Sequence, residues 1–82
     1  MKQFQIGDRV RTTRSMDHEY FYGSRDEVRA KNVIIANDAL GVVVDTHEIQ
    51  GAFYPYVCVN FALAGTVGSW YVDVNDLVLE GE

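Results

Sequence analysis

Val33-Ile34-Ile35-Ala36-Asn37-Asp38-Ala39-Leu40-Gly41-Val42-Val43-Val44 sets two triplets of β-branched residues on either side of Asn37-Asp38. Branching at Cβ disfavours a helix and suits the pleated strand, so each triplet predicts a strand. Asn and Asp tolerate the left-handed conformation and bond to nearby backbone, so the pair between them predicts a tight turn or a left-handed residue. Two strands so close together, with no helical period near them, set the chain on an all-β course.

Upstream, "FQIGDRVRTT" places Phe4, Ile6, Val10 and Thr12 on one parity and Arg9, Arg11 and Thr13 on the other, the alternation of a half-buried strand. Downstream, "THEIQGA" breaks the pattern before "FYPYVCVNF", in which Val57, Val59 and Phe61 alternate with Tyr56, Cys58 and Asn60. Pro55 fits the start of that strand or a sheet edge, because it has no N–H for a ladder. "ALAGTVG" turns the chain, and "SWYV" with "DVNDLVL" predicts a short strand, one helical turn and a closing strand. Five or six short strands with almost no helix predict a small β-barrel or a pair of orthogonal sheets. The expected core is Phe4, Ile6, Val10, Val33, Ile35, Val42, Val44, Val57, Val59, Phe61, Val72 and Leu77.

Between these strands, residues 14–30 show no clean period, and a connection of that length in a compact domain is usually functional or mobile. It contains Tyr20-Phe21-Tyr22 between charged residues. Three consecutive rings cannot all face one core, so they either fold back as a flap or lie open to another molecule. Joined by Tyr54, Tyr56, Trp70 or Tyr71, they would make a strong interaction surface, since aromatic rings supply contact area at small entropic cost, and the expected partner-binding set is Tyr20, Phe21, Tyr22, Tyr54, Tyr56 and Trp70.

The 82 residues make one domain, 1–82, with 48% hydrophobic content. The lone Cys58 permits neither an internal disulfide nor a thiolate metal cluster. No apolar run approaches the ~18 residues of a membrane span, which predicts a cytoplasmic protein without membrane contact. Self-association would supplement so small a core. The net charge is −5, yet all seven basic residues lie within the first 31 positions. Arg9, Arg11, Arg14, Arg25 and Arg29 define an alternative, nucleic-acid-binding surface, with nearby rings to stack on bases. The acidic excess opposes it, as do Asp17, Glu19, Asp26 and Glu27 among the same arginines. The acidic remainder admits a further alternative, an inhibitor that occupies a nucleic-acid-binding protein.

Signals of catalysis are sparse. His18 stands between Asp17 and Glu19, and His47 near Asp45 and Glu48, but neighbours in sequence do not converge on a metal. Cys58 would need a base beside it to act as a nucleophile. No catalytic residue, metal or cofactor is assigned.

"IGDRVRTT", "VIIANDALGVVVD", "YVCVNF" and "SWYVDVNDLVL" together resemble the layout of SH3-like barrels. The resemblance implies a bent first strand, a long first loop, a hairpin entered through small residues and a helical turn before the last strand. Asn37 stands where many members have glycine. In peptide-binding SH3 domains the ligand groove lies beside the first long loop, but this chain lacks their "ALYDY" opening, and Trp70 lies near the penultimate turn. The "GDRVR" opening is also similar to a plasmid-borne dihydrofolate reductase. Here "GSWYV" occupies the comparable region without that enzyme's glutamine, so the activity is not carried over. The expectation is a non-enzymatic interaction module, a small bacterial accessory or phage-type protein, binding a protein partner through 15–27 with Tyr54, Tyr56 and Trp70.

Overall fold

The computed structural model describes residues 3–49, 52–66 and 68–81, with all their side chains except those of residues 20, 47–49 and 52–54. The chain is all-β. Its elements are β1 (Arg9–Thr12), β2 (Met16–Ser24), β3 (Glu27–Ile35), β4 (Leu40–Ile49), β5 (Ala52–Asn60), a 3-10 turn (Ala62–Ala64), β6 (Ser69–Asp73), a second 3-10 turn (Val74–Asp76) and β7 (Leu77–Leu79). Five strands form an antiparallel sheet in the order β6-β5-β4-β1-β7, and β2 and β3 form a separate two-stranded ribbon. Among the described residues the sheet does not close into a barrel. Its edges are β6 and β7, joined in sequence by the turn Val74–Asp76. No described helix is long and apolar enough to cross a membrane.

The two β-branched triplets are strands, as expected, but they belong to different sheets. Val33-Ile34-Ile35 ends the ribbon, Val42-Val43-Val44 lies in the sheet, and Asn37-Asp38 turns the corner between them. Asp38 takes the left-handed conformation at φ 62°. Thr12 ties this corner from inside. Its hydroxyl donates to the Ala36 carbonyl at 2.8 Å and accepts the Ala39 N–H at 2.9 Å, while the Asp38 N–H donates to the Thr12 carbonyl at 3.0 Å. Thr12 is the only buried polar side chain among the described residues, and these bonds satisfy it.

Residues 14–30, expected to be a loop, contain all of β2 and the first part of β3. Tyr20-Phe21-Tyr22 is strand, paired with Lys31, Ala30 and Arg29. The hairpin escapes a periodicity search because, among the described residues, its outer half meets no core on either face, so neither parity is selected for apolar residues. At its base the alternation returns: Met16 and Ile35 are opposite each other and buried, with Val33 packed beside them.

One contiguous core contains Phe4, Val10, Ile35, Val57, Val59, Phe61, Val72 and Leu77 from the expected set, plus Met16, Ala39, Val43 and Val74. Ile6 does not belong to it. It lies in a turn where the Asp8 N–H donates to the Gln5 carbonyl and Gly7 adopts φ +95°, so the parity that holds from Val10 onward does not extend back to it. Val44 is exposed and Val42 only half-buried, whereas Val43 faces the core against Val59. Gly41 fixes this phase. A methyl group there would lie 2.5 Å from the Val59 side chain and 3.1 Å from the Phe61 ring, so Gly41 and Val43 share the inner face. A bulge between Val43 and Asp45 then leaves Val44 outside the ladder.

Candidate functional site: the ribbon and the cleft at its base

A strand pair has two faces, and the register assigns every ribbon residue to one of them. The inner face carries Met16, His18, Tyr22, Val33 and Ile35, covered at the base and open toward the turn. The outer face carries Asp17, Glu19 and Phe21 from β2 and Val28, Ala30, Asn32 and Ile34 from β3, all of them exposed. Phe21, Val28 and Ile34 retain 63%, 65% and 67% of their surface, values that put apolar side chains in open solvent along the ribbon. Val33-Ile34-Ile35 is therefore apolar on both faces, a composition found in strands covered from both sides, and here only one side is covered.

Of the expected partner-binding residues, Phe21 and the 45%-exposed Tyr22 lie on the ribbon. Tyr20 immediately precedes them in β2, and Tyr54 lies in β5; their side chains are outside the described set. Trp70 belongs to β6, half-buried, stacked on His18 with ring centroids 5.3 Å apart and an interplanar angle of 19°. It also meets Phe61 at 6.4 Å, so it joins the ribbon base to the core. Burial pushes the His18 imidazole below its ordinary pKa, Asp17 opposing and Arg14 reinforcing the shift. Its Nε2 is shielded from solvent without a hydrogen-bond partner among the described residues.

Tyr56 lines a cleft of about 270 Å³ at the ribbon base with Tyr71, Asp17, His18, Asp73 and Asp76. Tyr71 was weighed with these rings but left out of the expected partner-binding set. It faces the same side of the sheet as Cys58 and Asp45, opposite which β5 and β6 place it, and desolvation followed by Asp45 raises its phenol pKa. The period-2 pattern of "SWYV", with Trp70 and Val72 inside and out of phase with Tyr71, contained the signal.

The arginines divide by location. Arg9 bonds Glu80 at 2.6 Å, Arg11 reaches Glu80 at 3.8 Å and Asp38 at 4.0 Å, and Arg14 bonds Asp76 at 3.0 Å, which raises the Arg14 pKa. Arg29 meets Glu27 on the ribbon at 3.1 Å, and Arg25 is at the ribbon's turn. The five therefore form no common basic face: three are neutralised on the body, and two lie on the ribbon.

Burial, then Asp45, pushes the Cys58 thiol up, so it is not a poised thiolate. Among the described residues no three His, Cys, Asp or Glu side chains converge as metal ligands. The His47 side chain lies outside the described set. No family model matches the chain, and neither the characterised proteins nor the solved structures contain a significant match to it.

Proposed function

We propose that this chain is a non-enzymatic interaction module, an SH3-like scaffold whose first long loop has become a ribbon for binding a protein partner. The observation that carries this reading is the ribbon's outer face, where Phe21, Val28 and Ile34 stand exposed along paired strands. A monomer gains nothing by displaying such a face, whereas a partner that covers it gains hydrophobic stabilisation in proportion to the area removed from water. The cleft with Tyr56 and Tyr71 extends the available surface at the ribbon base. Support for the scaffold comes from the strand order β6-β5-β4-β1-β7, the long excursion between β1 and β4, and the 3-10 turn before the last strand.

Asn32, in β3 on the outer face, offers a direct test. A photo-reactive cross-linking residue placed at position 32 of the purified chain is expected to join a partner from source-cell extract on irradiation. The link should disappear in a Phe21→Ser/Ile34→Ser variant of unchanged melting temperature. Equal capture by that variant would rule out the ribbon as the binding surface.

A further inference from the structure

Resting on the interaction reading above, we infer that the partner is a basic, amphipathic protein segment lying along the ribbon's outer face, its apolar side chains on Phe21, Val28 and Ile34 and its lysines or arginines toward Asp17 and Glu19. The register divides this face into two rows. Along β3 run Ile34, Asn32, Ala30 and Val28, apolar but for Asn32, while β2 contributes Asp17, Glu19 and then Phe21. Every one of these side chains is exposed.

Charge selects the partner. Arg29 and Lys31 face the other side of the ribbon, Arg25 is at its turn, and Arg9, Arg11 and Arg14 are paired on the body. Among the described residues, therefore, no basic side chain shares the outer face with Asp17 and Glu19. Nor does any ion pair among them hold either carboxylate, whereas Arg29 and Arg14 hold Glu27 and Asp76. The cleft at the ribbon base continues the same charge. Asp17 lines it together with Asp73 and Asp76, with Arg14 as the opposing charge, and Tyr56 and Tyr71 supply rings of the kind that attract cations.

Other occupants each meet a penalty. A nucleic acid, an anionic membrane surface or an acidic protein segment would bring negative charge against Asp17 and Glu19, and the chain's net −5 adds to the repulsion. A second copy stacked on this face would do the same with its own two carboxylates. An uncharged apolar partner would strip water from both carboxylates and return no pairing. A basic amphipathic segment removes the apolar row from water and pairs the acidic one.

Fluorescence polarisation with two labelled synthetic peptides, one alternating leucine with lysine and one alternating leucine with glutamate, tests this chemistry on the purified full chain. The lysine peptide should bind, more weakly as salt rises, and the glutamate peptide should not. Asp17→Asn/Glu19→Gln should weaken the lysine peptide about tenfold, and Val28→Thr/Ile34→Thr by a similar factor. Asp26 is at the turn and Glu27 on the other face, so Asp26→Asn/Glu27→Gln removes the same charge away from the outer face and should change binding less than about twofold. Equal weakening by the two carboxamide pairs would overturn the proposal, since the peptide would then follow net charge and not this face. So would equal binding of both peptides, or no binding of the lysine peptide. The carboxamide variants leave every apolar side chain in place, so the test holds even where the threonine variant loses stability. Cross-linking at position 32 separates this failure from that of the interaction reading. A partner captured equally by Asp17→Asn/Glu19→Gln, or a link between two copies of this chain, keeps the ribbon as a binding surface and removes its basic occupant.

Discussion

His18 of the ribbon stacks on Trp70 of the sheet edge, ring centroids 5.3 Å apart and nearly parallel. The contact fastens the excursion between β1 and β4 to the core, because Trp70 also packs on Phe61. It places a titratable ring where burial disfavours its charge.

The folded state therefore favours neutral His18. Stability from this site is complete above the ordinary imidazole pKa of 6.5 and declines as pH falls from there to the lower folded value. Trp70, the only tryptophan, reports the change directly. Its fluorescence should titrate with a midpoint below 6.5, and His18→Phe should abolish that transition. Because the buried Nε2 has no hydrogen-bond partner among the described residues, His18→Phe should also raise the melting temperature at neutral pH; a lower one would show that the imidazole makes an essential polar contact.

Thr12 anchors the corner between ribbon and sheet through two hydrogen bonds. Thr12→Val leaves the Ala39 N–H and the Ala36 carbonyl without that partner in a buried place. The expected loss is about 1–3 kcal/mol by urea unfolding. Thr12→Ser, which keeps both bonds, should lose less.

Gly41 is required by contact. Gly41→Ala puts a methyl 2.5 Å from Val59 Cγ1 and 3.1 Å from the Asn60 carbonyl, and Val59 is completely buried with little room to yield. Overpacking of this kind costs about 1–3 kcal/mol. An unchanged melting temperature would mean that the inner face is looser than the structure shows.

Asp38 occupies the left-handed region at φ 62°, which a branched side chain resists. Asp38→Val should destabilise by about 1–2 kcal/mol, while Asp38→Gly should be nearly neutral. Loss of the Arg11 contact is common to both variants, so their difference isolates the backbone term.

Amide hydrogen exchange should divide the monomer. Val10, Val43, Val59 and Leu77 lie in the core and should exchange slowest, whereas the strand pairs from Phe21 to Ala30 should exchange fast at low protein concentration. Protection of those ribbon amides on addition of a captured partner would register the covering of the outer face.

The sequence by itself determined the strand character of Val33–Ile35, Val42–Val44 and the region around Val57–Val59, the left-handed turn at Asn37-Asp38 and the helical turn before Leu77, because each rests on local preferences or an unbroken period of two. It also marked Phe21 and Tyr22 as rings with no obvious place in a core. Tertiary structure decided what local pattern cannot encode. Whether Val42 or Val43 faces inward depends on Gly41 lying against Val59 and Phe61, residues close only after β4 and β5 pair. The ribbon was hidden because, among the described residues, its outer half meets no core to impose a parity, and its exposed apolar face became visible only once β2 and β3 were in register. The pairing of Arg9, Arg11 and Arg14 with carboxylates distant in sequence likewise appears only when the corner and the last strand come together, and it separates the body's neutralised charge from the ribbon's.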